Sequence, residues 1–95
     1  MVEMKKYPYP LTVVMDRYSG TYSGGYFTAW NRYPVEIPSR IDDSDSIAMA
    51  FWDDYHKKEE SFEDGYQMVG FGETAEAAIK DLIAKQIQKG VFVGV

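Results

Sequence analysis

The chain has no cysteine and a single histidine among its 95 residues. The first absence excludes disulfides, thiolate zinc sites, redox pairs and cysteine nucleophiles together. It also fits a cytoplasmic protein, the location expected here. The second leaves His56 as the only imidazole for acid–base work. No apolar run approaches the roughly 18 residues of a membrane span, so no membrane partner is expected. The start, MVEMKKYPYPLTVV, has two lysines but no long apolar region behind them. Its prolines and early alternation argue against a signal peptide. Repeats, low-complexity tracts and linkers are lacking too, so residues 1–95 are expected to form one domain with a modest core.

A basic surplus is also lacking. The net charge is −5, and it is uneven: residues 1–40 carry +2, residues 41–65 carry −7 and residues 66–95 are neutral. The net negative charge therefore sits in IDDSDSIAMAFWDDYHKKEESFEDG. Phosphate binding needs clustered Lys and Arg, so direct contact with nucleic acid is not expected. An acidic block suits a basic protein surface, including one that ordinarily holds nucleic acid. It suits equally a solvated helix face kept for solubility.

What is present reads as a small α+β domain. YPLTVVMDRY alternates, with Leu11, Val13 and Met15 on one side and Thr12, Val14 and Asp16 on the other. Pro8 and Pro10 at its entrance suggest an edge position. SGTYSGG supplies turn glycines, and GYFTAWN alternates again: Tyr26, Thr28 and Trp30 against Phe27, Ala29 and Asn31. Two such runs predict an antiparallel hairpin. This explains most of the aromatic-rich stretch 16–34 as strand faces, but gives Tyr18 and Tyr22, beside the loop, no core to enter. They are candidate contact residues.

RYPVEIPSR, with Pro34 and Pro38, predicts an extended surface connection pinned by Val35 and Ile37. A helix is expected over about residues 45–58, capped by Asp43 or Ser44. Its apolar stripe is Ile47, Ala48, Phe51, Trp52 and Tyr55. YQMVGFG predicts a third strand in which Gly70 permits a bulge or a close backbone approach. ETAEAAIKDLIAKQIQKG is the clearest helix. Thr74 is its N-cap, Gly90 stands at its C′ position, and Ala75, Ala78, Ile79, Leu82, Ile83 and Ile87 form its stripe. The tail VFVGV offers a possible last strand. The expected arrangement is β-β-α-β-α, a small antiparallel sheet with two helices packed on one face.

Chemistry is sparse. Asp53 and Glu60 lie at i−3 and i+4 from His56, so a general base or a loose metal site can be drawn there. Such a metal site would be exposed and without supporting hydrogen bonds, and none is expected. The paired carboxylates are sequence neighbours, not acids facing one another across a cleft. DDSDSIAMAFWD starts like a calcium loop and then loses the pattern. SGTYSGG lacks the lysine and helix of a phosphate loop. GFGETAEAAI runs through glycines to a helix N-terminus, but Glu73 would repel an anion there. No cofactor is expected, and no enzyme.

YPLTVVMDRYSGTYSGGYFTAWNRYP followed by MVGFGETAEAAIKDLIAKQI resembles the HicB family of small antitoxins. Gly72, Thr74, Ala77 and Ala78 echo that family's lead-in to a helix, and about half of the chain is covered. The resemblance implies a partly double-stranded-RNA-binding-like fold that binds and masks a toxin. Residues 33–65 depart from the pattern as an inserted acidic segment. The family's separate DNA-binding helices have no counterpart here, so operator binding is not expected. The DRYSGTYSGG…AWN pattern is also similar to small proteins of phages and mobile elements, a class that includes inhibitors of host defence such as anti-CRISPR proteins.

The expected function is therefore non-enzymatic protein binding that inhibits a host defence nuclease. The contact is expected at Asp42, Asp43, Asp45, Trp52, Asp53, Asp54, Tyr55, Glu59 and Glu60, with Tyr18 and Tyr22 from the hairpin. A HicB-like antitoxin is the alternative. A homodimer formed by sheet extension is a further expectation.

Overall fold

A computed structural model describes residues 7–58 and 69–90. The class and the order of elements are those expected. Strand β1 (Thr12–Met15) and strand β2 (Phe27–Trp30) form the hairpin. Helix α1 (Asp45–Lys58) follows, then strand β3 (Val69–Gly72) and helix α2 (Ala75–Lys89). All pairing is antiparallel and β2 is central. Thr12 lies opposite Trp30, and Trp30 opposite Val69. Glu59, Glu60 and the VFVGV tail lie outside the described residues.

The strand alternation decides where each helix sits. Val14, Trp30, Val69 and Phe71 face one way and pack with Ile41, Phe51, Trp52 and Tyr55. Val13, Phe27 and Ala29 face the other way and pack with Ala78 and Leu82. The two helices therefore lie on opposite faces of the sheet, which corrects the expectation of both on one face. The cause is a difference in side-chain size. On the α2 face β3 presents Gly70 and Gly72, and the helix backbone rests directly on the strand. A Cβ added at Gly70 would stand 2.5 Å from Leu82 N. One added at Gly72 would stand 2.7 Å from the Ala77 carbonyl carbon. Gly70 thus serves a close backbone approach. On the α1 face a layer of rings fills the gap: Trp52 meets Trp30, Phe51, Tyr55 and Phe71 with centroids 5.0–5.9 Å apart. Aromatic contacts in this range are favourable beyond the area they bury.

Both helices end where their caps dictate. Thr74 Oγ1 accepts from Ala77 N at 3.0 Å, and Gly90 adopts φ 74° with its N–H on the Gln86 and Ile87 carbonyls. The α2 stripe runs Ala78, Leu82, Gln86, so Ile87 is 62% exposed and a glutamine is buried instead. Gln86 Nε2 donates to Asn31 Oδ1, and Asn31 Nδ2 donates to the Pro10 carbonyl. This chain ties the far end of α2 to the start of β1. In α1, the Ser44 carbonyl accepts from Ala48 N. Ile47 falls outside the buried stripe and is exposed.

The connection 33–44 is not simply extended. It forms two 3-10 turns, Pro34–Glu36 and Ser39–Asp42. Ile37 and Ile41 pin it to the core, whereas Val35, expected to do so, is 90% exposed. Proline at the first position of the first turn supplies the fixed φ, and Glu36 Oε1 accepts from Tyr33 N.

Candidate functional site

The loop between β1 and β2 is held from inside and from outside. Asp16, a buried residue, accepts through Oδ2 from Tyr18 N at 3.2 Å and from Gly20 N at 2.6 Å. A carboxylate aimed at successive amides is a strong local clamp. Outside, Arg17 Nη1 donates to the Asp42 carbonyl at 2.6 Å, and the Tyr18 hydroxyl donates to the Asp43 carbonyl. Tyr22 meets Tyr18 edge-on at 5.5 Å and leans on the α1-side core. Tyr18 and Tyr22 thus fasten the hairpin to the lead-in of α1. Tyr18 finds its partner 25 positions away at Asp43, and Tyr22 finds a core in the cluster of Trp30, Ile41, Phe51, Trp52, Tyr55 and Val69.

Trp52 and Tyr55 are corrections of the same kind. Trp52 is 1% exposed and Tyr55 7%, so neither presents a ring to a partner. Tyr55 uses its hydroxyl to accept from Val69 N at 2.8 Å. Trp52 fills the centre of the ring layer, and its Nε1 has no hydrogen-bond partner among the described residues. The hydrophobic stripe of α1 was legible from spacing; that its rings all turn inward follows from the thickness of the layer between helix and sheet.

The acids stand differently. Asp42, Asp43, Asp45, Asp53 and Asp54 are all exposed. Asp42 and Asp43 end the second 3-10 turn, and Asp45 opens α1. At 1.5 Å per residue, Asp45 and Asp53 are about 12 Å apart along the helix axis. Asp53 Oδ2 pairs with Lys57 Nζ at 3.1 Å, and both side chains remain mostly exposed. Asp43 Oδ1 accepts from Ser44 N at 2.7 Å. Asp42 and Asp45 have no ion pair among the described residues. The exposed carboxylates thus form an acidic strip in two groups, Asp42, Asp43 and Asp45 at and just before the start of α1, and Asp53 and Asp54 about two turns on, with no acid among residues 46–52.

His56 closes a third link to the hairpin. Its Nε2–H donates to the Ser23 carbonyl at 2.9 Å, and its ring lies beside Trp52, Tyr55 and Phe71. That bond sets the tautomer and gives the imidazole a positioning task in the fold. No group of three or more His, Asp or Glu suited to a metal ion occurs among the described residues. No helix among them is long and apolar enough to cross a membrane.

One surface feature escaped the sequence reading. Tyr9 and Tyr33 are exposed and meet edge-on at 6.2 Å, beside the exposed Val35. The hydrogen bond with Tyr9 raises the Tyr33 hydroxyl above the usual phenol value, helped by the electrostatic effect of Tyr9 and by the charge of Glu36. The signal in sequence was faint: two tyrosines next to prolines, 24 residues apart, joined only by the register of the hairpin. Set against family models, curated proteins and solved structures, the chain finds no match in any of the three comparisons.

Proposed function

We propose that the chain is a non-enzymatic protein-binding inhibitor whose acidic α1 strip occupies a basic, nucleic-acid-holding surface of its partner. In this reading it is a phage or mobile-element protein, and the partner is a host defence nuclease. One observation carries the reading: exposed carboxylates at 42, 43 and 45, at and just before the start of α1, and at 53 and 54 farther along it, stand around a helix whose inner side is anchored by an aromatic core. Such a strip presents negative charge on a rigid element, which favours fast, salt-sensitive association with a positive surface. The buried Trp52 and Tyr55 support the contact from beneath and take no part in it.

The test is capture from a host lysate by tagged protein at low and moderate salt, run beside a variant carrying Asp53→Lys and Asp54→Lys. A nucleic-acid-handling protein retained by the wild type and lost by the variant supports the reading. A small toxin-like partner held equally by both would replace it with the HicB-like antitoxin.

A further inference from the structure

We propose that β1 is the extendable edge of this sheet and that a second copy of the chain pairs on it, β1 against β1, antiparallel about Val13. The proposal is independent of the acidic strip.

Both outer strands present a row of backbone groups, but among the described residues only one row is occupied. In β3 the outward groups belong to Val69 and Phe71, because Gly70 and Gly72 point at Ala29 and Phe27 of β2. Val69 N donates to the Tyr55 hydroxyl, the Val69 carbonyl accepts from Lys85 Nζ at 3.0 Å, and Phe71 N donates to Asp81 Oδ2 at 2.9 Å. Asp81 and Lys85 also pair with each other at 3.1 Å, and Lys85 Nζ lies 4.6 Å from the centre of the Phe71 ring. Side chains from both helices thus cover the β3 edge. This is the kind of device that keeps an edge from pairing with another chain.

In β1 the inward groups are those of Thr12, Val14 and Asp16, as the bond from Asp16 N to the Tyr26 carbonyl fixes. The outward groups belong to Leu11, Val13 and Met15, and no described residue bonds to them. Residues 11–15, LTVVM, contain no charge, no proline and no glycine. The strand's guards are its four-residue length and the prolines before it, Pro8 and Pro10; residues 11–15 themselves carry none.

The strand is complementary to itself. With a two-fold axis at Val13, its N–H and C=O meet those of the partner's Val13, and Leu11 exchanges bonds with the partner's Met15. Asp16 falls opposite the partner's Pro10, so no like charges are opposed. The side chains favour the same solution. Leu11 and Val13 pack on the α2 side and Val14 on the α1 side, yet all three are only half-buried because β1 has one neighbour. Met15 is 63% exposed. A second β1 completes both layers and yields a continuous six-stranded sheet with the acidic strips left free.

The test combines molar mass by light scattering, from micromolar to millimolar chain, with amide hydrogen exchange read by NMR. The expected result is a doubling of mass with concentration, with the Val13 and Met15 amides slowing only as the dimer forms. The Val69 and Phe71 amides are slow throughout. Val13→Pro removes an outward donor and leaves the bonds to β2 intact, so it is expected to stay monomeric with an unchanged circular dichroism spectrum. Should that variant not fold, the exchange pattern of the wild type decides alone. A monomer at every concentration overturns the proposal, whether those amides are fast or are slow through pairing within one chain. So does a dimer in which they stay fast.

Discussion

Replacing Gly70 by alanine tests the closest packing in the molecule. The new Cβ would stand 2.5 Å from Leu82 N and 2.7 Å from Leu82 Cβ. Carbon contacts are comfortable at about 3.5–4.0 Å, so α2 must retreat by about 1 Å. That retreat loosens Ala29, Ala78 and Leu82, each fully buried. Overpacking costs about 1–3 kcal/mol, and the upper end applies because the obstacle is helix backbone, not the tip of a side chain. Removing a glycine returns about 0.4–1 kcal/mol through the unfolded chain. The net expectation is a loss of about 2 kcal/mol or more from a domain that has about 5–15 in all. For a chain of this size, that lowers the melting temperature by roughly 10–15 °C. Gly90→Ala is the comparison. Its φ is 74° but no atom lies within 4 Å, so only backbone strain of about 1 kcal/mol is expected. Thermal melts and urea titrations of both variants decide the matter. Gly70→Ala melting within a degree or two of wild type, or above Gly90→Ala, refutes the account of how α2 sits on β3.

Other expectations follow from the same contacts. Tyr18→Phe removes the hydroxyl that holds the Asp43 carbonyl, and a loss of about 1 kcal/mol in urea unfolding is expected. Trp52→Ala empties the ring layer and should cost about 3–5 kcal/mol in urea unfolding, the largest loss of these single substitutions. His56→Ala breaks the link to Ser23 and should lower the melting temperature without weakening partner capture. Tyr33 should ionise above the usual phenol value of about 10 in an ultraviolet titration, and Tyr9→Phe should bring it down. Because the folded state favours the neutral phenol, that contribution to stability is present below pH of about 10. It is lost as the pH rises through the folded value.

The parts of this fold that were legible in sequence are those governed by a local period. Leu11 to Asp16 and Tyr26 to Asn31 alternate as observed, and Thr74 and Gly90 mark the ends of α2 where they stand. The side on which each helix packs depends on matching distant positions. Gly70 and Gly72 leave room only beside Ala29 and Ala78, and that match is visible once the register is known. The candidate site divides in the same way. The exposure of Asp42, Asp43, Asp45, Asp53 and Asp54 follows from charge and helical spacing. The inward turn of Trp52 and Tyr55, and the fastening of Tyr18 to residue 43, depend on contacts between segments. A local reading cannot separate an anchor from a contact residue when both are aromatic.

The most direct measurement is capture by four proteins side by side: wild type, Asp42→Lys with Asp45→Lys, Asp53→Lys with Asp54→Lys, and Tyr9→Ala with Tyr33→Ala. All six substituted positions are exposed, and folding is checked first by thermal melting. The account predicts one nucleic-acid-handling partner, released by high salt. It should be weakened by both charge reversals and unaffected by the tyrosine pair. A partner held as tightly by the charge-reversed proteins, and lost with Tyr9 and Tyr33, would contradict it.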